Sequence, residues 1–358
     1  MIAWFRYICL IVSLIITLPE LLSAQRLVSQ RQEDVEAGLL YNESVYILSN
    51  YSCLSSNSPE KLSLDELLRK QIEGFYFYLK RDTETNVLLL RKPDGTFTPF
   101  SESLEAIKTA LDADSTKVMT LFLDFYVEME LESSFKEIGL MEYVLEYDTK
   151  NGWPSLKDML SSGKRLVVFE VQKHLNSPSW LHNMRDFVEH TDADWGNQPE
   201  GVESFDERLK KNLSLFTGYK FLETSRGNSN DISALARQTP YLIESFKRAW
   251  IRDGRVPNFV LVDKYYAWLD VSLVTFRNFD IIYGAVTNNN ELLNYVNWDG
   301  MSNYTTGKYC FPLEPGAELM LSPISPGYRI EPATVYVSGT QRKAFAGDFK
   351  ARPLRVDE

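Results

Sequence analysis

Residues 152–170 constrain the fold of this chain more than any other segment, and they read GWPSLKDMLSSGKRLVVFE. The stretch from Leu156 to Leu160 predicts one or two turns of amphipathic helix, and Ser162-Gly163 is typical of a helix end. Two cations follow, and the apolar run over 165–171 predicts a buried strand. A short helix that leads into a buried strand is typical of a parallel sheet covered by helices.

The same alternation of strand and helix runs through the middle of the chain. Composition predicts strands over 44–49, 74–81, 87–91, 117–127, 165–171, 218–223 and 259–265. Helical spacing predicts helices over 63–71, 103–111, 133–146 and 230–251, with shorter ones over 270–278 and 290–296. The pattern predicts an α/β fold with a parallel sheet, in which 87–91 pairs back on 74–81 as a hairpin.

The composition changes after about Asn297. Gly, Pro, Ser and Tyr become more frequent there, and Glu331–Ser338 has the composition of a strand. The sequence therefore predicts a signal peptide over 1–24, an α/β domain over 25–296 and a small β-rich appendage over 297–358.

The first residues have the pattern of a targeting segment. Arg6 precedes an apolar run over 7–18, which suits a signal peptide and is short for a membrane span. Leu22-Ser23-Ala24 would allow cleavage before Gln25, and a retained N-terminal anchor is the alternative. Because no second run of spanning length follows, we expect a mature chain without a transmembrane span, secreted or periplasmic.

Charge and cysteine content limit the partners and the covalent links. The net charge of −11 gives the chain no electrostatic reason to bind nucleic acid, although a local cationic patch could still hold one phosphate. After loss of the signal peptide, Cys53 and Cys310 remain. In an exported protein they would form either one disulfide or two unpaired buried thiols.

Two segments carry a resemblance to a known family. Trp153-Pro154 with the run GKRLVVF over 163–169 resembles a conserved segment of the phosphatidylinositol-specific phospholipase C X-domain family, and Pro257–Asp263 resembles its late P-N-F-x-x-V-D motif. The resemblance implies an irregular (β/α)8 barrel of the TIM type over about residues 45–285. It also implies cleavage of a phosphodiester by two histidines, a general base and a general acid, placed before residue 152.

The residues at the family's first two motifs differ from the pattern. Ser49 stands at the position of the first histidine, and Asn50 keeps the asparagine that follows it. On the second strand, Tyr76 stands where the family has arginine, and Leu79 takes the place of an acidic residue. The metal-dependent branch needs that acid, so we expect no calcium and no other cofactor.

The later motifs are also incomplete. Arg91-Lys92 stands where the second histidine belongs, and these two cations would be able to hold a phosphate without moving a proton at neutral pH. Asp263 would orient a histidine in a working member. All three histidines of this chain, His174, His182 and His190, lie after residue 152, and the last two are predicted to be surface residues.

The leading hypothesis is therefore a catalytically impaired phospholipase-C-like protein. It would bind an inositol phosphate, a phospholipid head group or a sugar at the barrel mouth through Arg91, Lys92 and aromatic side chains. One alternative is an active phosphodiesterase with relocated groups, Asp124, Glu170 and His174, of which His174 follows a strand and would lie beside Glu170. Another is a non-enzymatic interaction module carried by the β-rich appendage.

Overall fold

A computed structural model describes residues 31–53, 63–70, 72–125, 131–192, 213–217, 243–244, 246–251, 256–262, 278–299, 304–305, 307–339 and 342–354. The predicted signal peptide, the predicted strand over 218–223 and Asp263 lie outside these ranges, as does most of the predicted helix over 230–251. Within the described helices, none combines the length and the apolar character needed to cross a membrane.

Ten strands form the first sheet. In chain order they are β1 (Tyr46–Ser49), β2 (Gly74–Arg81), β3 (Leu88–Arg91), β4 (Phe97–Pro99), β5 (Met119–Asp124), β6 (Leu166–Glu170), β7 (Leu181–Asn183), β8 (Val188–Asp192), β9 (Leu213–Thr217) and β10 (Phe259–Val262). The strands β3 and β4 form an antiparallel extension of β2, which confirms the predicted hairpin. The other eight are parallel to their neighbours.

The order of these eight strands follows the chain around a curved sheet. Across the sheet they run β7-β6-β5-β2-β1-β10-β9-β8, so the first strand lies between the second and the last. This is the order of a (β/α)8 barrel. No ladder joins β7 to β8 in the part of the chain that the structure describes. The predicted α/β fold is confirmed, and closure of the ring at that point is not shown.

Helices contribute to the cores on both faces of the sheet, because Leu156 and Met184 share a core with Phe122 while Leu104 packs on the opposite face. They are Leu64–Arg69, Phe100–Ala113, Leu131–Ile138, Leu156–Ser162 and Met184–Phe187, with further helical residues at 31–36 and within 243–251. Ser63 and Glu66 form the capping box predicted at the start of the first of these. The helix Leu156–Ser162 begins after Ser155 and ends at Gly163, which has a left-handed backbone. Residues 152–170 thus fold as their pattern predicts.

Alternate residues along the strands enter two different cores. Ile47, Phe75 and Leu123 pack with helical residues such as Leu104. On the opposite face lies an aromatic cluster in which the ring of Phe122 stacks on Phe169 at 5.1 Å and meets Phe259 edge-on at 5.2 Å. Side chains therefore fill this face of the sheet, as they fill the interior of TIM-type barrels.

Gly74, at the start of β2, is required by close packing. A Cβ atom at this position would lie 2.2 Å from the carbonyl oxygen of Thr120 and 2.4 Å from Cδ2 of Leu48. No larger residue fits without moving the neighbouring strand. The glycine of the second family motif is therefore explained by sheet geometry alone.

The β-rich part begins already at Asp280, ahead of the predicted boundary at residue 297. Its strands are β11 (Asp280–Asn288), β12 (Glu291–Leu292), β13 (Val296–Trp298), β14 (Tyr304–Thr305), β15 (Lys308–Leu313), β16 (Glu318–Leu321), β17 (Pro323–Ile324), β18 (Tyr328–Glu331), β19 (Val335–Ser338) and β20 (Lys343–Pro353). The strand β11 pairs with β15 and β20 over a core that includes Trp298 and Phe349. The helix predicted over 290–296 is wrong, because β12 and β13 occupy that segment.

Buried ion pairs join the two parts of the chain. The Arg31 guanidinium contacts Glu73 at 2.5 Å and Asp34 at 3.4 Å, and Asp34 also contacts Nε of Arg342 at 2.6 Å. Arg31, Asp34 and Glu73 are buried. Glu73 directly precedes β2 and Arg342 directly precedes β20, so this network lies at the N-terminal end of the parallel sheet and holds the β-rich part against it.

Candidate functional site

The C-terminal ends of β5 and β6 carry a carboxylate each. Asp124 is the last residue of β5 and Glu170 is the last residue of β6, and Glu170 pairs in register with Leu123. Because successive side chains alternate between the faces of a sheet, Glu170 shares a face with Leu123 while Asp124 points to the opposite face. The two carboxylates therefore end neighbouring strands, but their side chains lie on opposite faces of the sheet.

Glu170 is 98% buried, and neutral or titratable groups surround its carboxylate. Ser177 Oγ donates to Oε2 at 2.5 Å, Asn183 Nδ2 donates to Oε1 at 3.2 Å, and Nδ1 of His174 lies 3.1 Å from Oε2. A buried carboxylate needs such donors to offset its lost hydration. The strand end and the turn that follows it thus assemble around one charge.

His174 is oriented by two contacts. Its ring stacks on Phe125 with centroids 4.4 Å apart, and its Nδ1 faces Glu170. If Nδ1 carries the proton, Nε2 is left as an acceptor, and Nε2 forms no hydrogen bond with the described residues. A carboxylate that fixes an imidazole in this way prepares it to accept a proton. Ser177 donates to the carboxylate and not to the imidazole, so these three side chains do not form the Ser-to-His hydrogen bond of a serine nucleophile.

Asp124 bonds to the neighbouring strand instead of to this pair. Tyr76, on β2, donates from its hydroxyl to Oδ2 of Asp124 at 2.9 Å. The other carboxylate oxygen, Oδ1, is buried and has no hydrogen-bond partner within the described ranges. Of the three groups in the relocated-site hypothesis, the structure brings Glu170 and His174 together, and Asp124 belongs to a separate pair with Tyr76.

The position of the family's first histidine is enclosed. Ser49 ends β1 and is 98% buried, and Asn50 beside it is buried as well. Next in the chain, Ser52 donates to the carbonyl oxygen of Arg91 at 2.9 Å and accepts from the backbone nitrogen of Tyr78 at 2.8 Å. The segment after β1 is thus bonded to the hairpin, and no described imidazole occupies it.

The remaining predicted positions are dispersed. Leu79 is buried in the helix-side core, while Arg91 is exposed at the end of β3. Lys92 lines a cavity of about 380 Å³ beside the hairpin. Among the described residues no three His, Cys, Asp or Glu side chains are grouped closely enough to hold a metal ion.

The cations of the segment GKRLVVF have structural partners. Arg165 donates to the carbonyl oxygens of Asp114 at 2.6 Å and Lys117 at 3.1 Å, and to that of Leu111 at 2.9 Å. These carbonyls lie at and just after the end of the helix Phe100–Ala113, where intrahelical partners run out. Lys164 donates to the carbonyl oxygen of Met141 at 3.2 Å. Neither cation faces the strand ends that carry Asp124 and Glu170.

The prediction that His182 is a surface residue is wrong. His182 lies in β7 and is 96% buried among Trp153, Phe169 and Phe187. Its Nε2 lies 3.2 Å from the carbonyl oxygen of Leu145, and burial lowers its pKa below the ordinary value. The β7 strand has only three residues, too few to show the alternation that would have revealed it. The side chain of His190 is outside the described set.

The thiol of Cys310 is free in the structure. Trp250 Nε1 donates to its sulfur at 3.2 Å, and burial raises the pKa of Cys310 to about 11. Such a thiol is a poor nucleophile and a poor metal ligand near neutral pH. The side chain of Cys53 lies outside the described residues, and of the two alternatives for this pair the structure has the unpaired thiol at Cys310.

Comparison with known proteins confirms the family resemblance over part of the chain. The family model described as PI-PLC X 1 matches residues 90–199 of this chain. That range includes β5, β6, Glu170 and His174, and it begins after β1 and β2, where Ser49 and Tyr76 lie. No curated protein matches the chain in sequence.

Solved structures of bacterial phospholipases are similar to this chain at low identity. Phosphatidylinositol-specific phospholipase C from Listeria monocytogenes has a TM-score of 0.44 and 12% identity, over 68% of this chain and 98% of that one. A mutant of phosphatidylinositol-specific phospholipase C from Staphylococcus aureus has a TM-score of 0.42 and 13% identity, over 70% of this chain and 96% of that one.

Proposed function

We propose that this chain, whose residues 90–199 match the PI-PLC X family, is an exported phospholipase-C-like protein with impaired catalysis. It would bind a phosphorylated or sugar-like ligand at the C-terminal end of its parallel sheet, where barrels of this type hold their ligands. The proposal that it is exported rests on the apolar run over 7–18 and the cleavage pattern before Gln25.

The observation that carries the proposal is the residue at the end of β1. Cleavage of a phosphodiester requires one group to remove the proton of the attacking hydroxyl and another to protonate the leaving oxygen. Ser49 cannot do either near neutral pH, and it is enclosed by its neighbours. At the C-terminal strand ends the described chain offers one imidazole, His174, where the reaction needs two proton-transferring groups.

The Tyr76–Asp124 pair supports a hydroxyl-bearing ligand. Asp124 Oδ1 is a buried acceptor without a partner in the described chain, and a sugar or inositol hydroxyl would satisfy it. The exposed guanidinium of Arg91 would meet a phosphate attached to the same ligand. In this arrangement the ligand is held by Asp124 and by Arg91, which stands where the resemblance places the second histidine.

The test is an assay of the mature chain against phosphatidylinositol vesicles and bis(p-nitrophenyl) phosphate. We expect no turnover above the buffer rate, and the same result for His174→Gln. Turnover that His174→Gln abolishes and Lys173→Gln leaves intact would overturn the proposal. Lys173 is the matched control because it is the exposed neighbour of His174 in the same turn.

That outcome would instead support a second candidate, an active phosphodiesterase that uses His174 alone. The 3.1 Å contact between Glu170 and Nδ1 of His174 favours it, because the carboxylate would stabilise the imidazolium that forms when Nε2 takes a proton. The same imidazolium would then return the proton to the leaving oxygen.

A further inference from the structure

The turn from Asp148 to Gly152 joins two residues whose aromatic rings pack together. The rings of Tyr147 and Trp153 have centroids 4.7 Å apart, and Trp153 is buried in the aromatic core. An antiparallel bridge between Asp148 and Gly152 closes the turn, while Asp148 and Asn151 are exposed. A polar turn on a packed stem therefore presents the side chain of Asn151 to water.

Asn151 is followed directly by Gly152, and this pair of residues is chemically reactive. The backbone nitrogen of Gly152 is able to give up its proton and attack Cγ of Asn151, and Nδ2 then leaves as ammonia with that proton. Water opens the resulting succinimide ring at either carbonyl carbon, which gives aspartate or isoaspartate. Glycine favours the attack because it has no Cβ atom to shield its nitrogen.

Asp148 holds both groups that this reaction needs. Nδ2 of Asn151 donates to Oδ2 of Asp148 at 2.6 Å, and the backbone nitrogen of Gly152 donates to the carbonyl oxygen of Asp148 at 2.8 Å. The other carboxylate oxygen of Asp148 accepts from the backbone nitrogen of Lys150 at 2.8 Å. The leaving group and the attacking nitrogen are thus both bonded to Asp148, and both bonds have to break before the nitrogen reaches Cγ.

The carboxyl group of Asp148 is ionised near neutral pH. Its pKa is lowered by the hydrogen bond from the backbone nitrogen of Lys150 and by the one from Nδ2 of Asn151. A carboxylate binds an N–H donor more strongly than a neutral carboxyl group does, and it has no proton to give to the departing ammonia. The contacts of Asp148 therefore oppose the reaction at Asn151.

Asn86 provides a comparison within the same chain. It is exposed in the turn between β2 and β3, where its backbone nitrogen donates to the carbonyl oxygen of Asp82 at 2.9 Å. Arg81 donates to its side-chain oxygen at 3.1 Å. Val87 follows it, and the branched Cβ of valine shields the nitrogen that would have to attack. The two exposed turn asparagines thus differ in the residue that follows them.

We propose that Asn151 is a modification site of this chain, at which the side-chain amide is converted to aspartate and isoaspartate at a rate set by Asp148. Isoaspartate inserts a methylene group into the backbone before Gly152, so the bridge with Asp148 loses its register. The change acts on the stem that holds Trp153 in the aromatic core. The inference goes beyond the function proposed above and does not depend on His174.

The experiment follows isoaspartate in the native mature chain during incubation in mildly alkaline buffer, by enzymatic methylation and by peptide mass spectrometry. We expect isoaspartate at residue 151 and none above background at Asn86. Asp148→Ala should raise the rate at residue 151 by about threefold to tenfold, because it frees the amide of the side chain. The matched control is Thr149→Ala, an exposed neighbour in the same turn, which should leave the rate unchanged. Circular dichroism checks that both variants fold.

Unfolding separates the effect of the turn from that of the local sequence. In concentrated urea the hydrogen bonds are lost, so the unmodified chain and Asp148→Ala should convert at similar rates. Four results would overturn the proposal. They are conversion at Asn86 as fast as at Asn151, a native rate in Asp148→Ala no higher than in the unmodified chain, a rate difference that persists in urea, and a Thr149→Ala effect equal to that of Asp148→Ala. The His174→Gln variant should convert as the unmodified chain does, so its phosphodiester turnover concerns only the proposed function.

Discussion

The two ends of the parallel sheet bury charge in different ways. At the N-terminal end, Arg31 and Glu73 form a buried ion pair, and Asp34 joins them to Arg342. At the C-terminal end, buried Glu170 meets two neutral donors and an imidazole. Removing one partner of a buried ion pair leaves an unpaired charge, so the contacts at the N-terminal end stabilise the fold. A carboxylate held by neutral donors and an imidazole is able to take part in proton transfer.

The difference agrees with the division of labour in barrels of this type, where the C-terminal ends of the strands carry chemistry and the N-terminal ends carry stability. The N-terminal network joins segments far apart in the chain, since Asp34 and Arg342 are separated by 308 positions. The C-terminal pair is local, since Glu170 and His174 are separated by four positions. Loss of the network should therefore affect the whole fold, and loss of the pair only one turn.

The largest expected effect is that of Glu73→Ala. Without this carboxylate the buried Arg31 guanidinium keeps only the longer contact with Asp34 and a carbonyl, and the free energy of unfolding should fall by about 3–5 kcal/mol. Urea-induced unfolding followed by circular dichroism measures it. The control is Glu132→Ala, which breaks an exposed pair with Lys136 and should cost less than about 1 kcal/mol. Equal costs for the two variants would remove the distinction between the two ends.

Arg165→Met should have the next largest effect. Three carbonyl oxygens at and just after the end of the helix Phe100–Ala113 would lose the guanidinium as a donor, which should lower the free energy of unfolding by about 2–3 kcal/mol. Lys164→Met removes one bond from the adjacent cation and should cost about 0.5 kcal/mol. If Arg165→Met instead left stability unchanged and abolished ligand binding, this motif cation would be functional and the N-terminal end would not be purely structural.

The strands that the sequence predicted share continuous apolar or aromatic runs. The bounds of β2 were predicted without error, and β6 and β10 begin within one residue of the prediction. By contrast β7, β8 and β9 were missed. The sequences of β7 (LHN) and β8 (VEHTD) lack the apolar run of β6 and β10, and β9 ends just before the strand predicted over 218–223. Short strands whose burial depends on partners far along the chain carry little local signal.

The candidate site was predictable only where two reactive side chains lie in one short segment at the end of a strand. Glu170 ends a strand and His174 follows in the same turn, so the sequence alone indicated their proximity. Asp124 carried the same strand-end signal, yet the alternation of side chains sends it to the other face. The cavity lined by Tyr51 and Lys92 could not be predicted from a local sequence pattern, because its walls come from four segments that only the fold brings together.

A third prediction concerns the buried imidazole of His182 and the dependence of stability on pH. Burial lowers the pKa of His182 more than the bond to Leu145 and the charge of Glu146 raise it. Below the ordinary pKa of about 6.5, the unfolded chain therefore binds the proton more readily than the native one, and stability is lost as pH falls. Unfolding free energies measured at a series of pH values should fall less steeply towards acid in His182→Phe. An acid-side slope in His182→Phe equal to that of the unmodified chain would contradict the assignment to His182.

The variant with the smallest expected effect tests whether neutral donors stabilise the carboxylate of Glu170. Ser177→Ala removes the shortest of its three contacts, and the free energy of unfolding should fall by about 1 kcal/mol. The matched control is Ser161→Ala, which removes an exposed hydroxyl bonded to a helix carbonyl and should be neutral within about 0.5 kcal/mol. Nitrogen NMR of the ring should still show the proton on Nδ1 of His174, because Oε2 of Glu170 keeps that contact. A shift of the proton to Nε2 would mean that Ser177, and not the carboxylate alone, sets the tautomer of the imidazole, and the C-terminal end would then depend on a hydroxyl that the sequence did not single out.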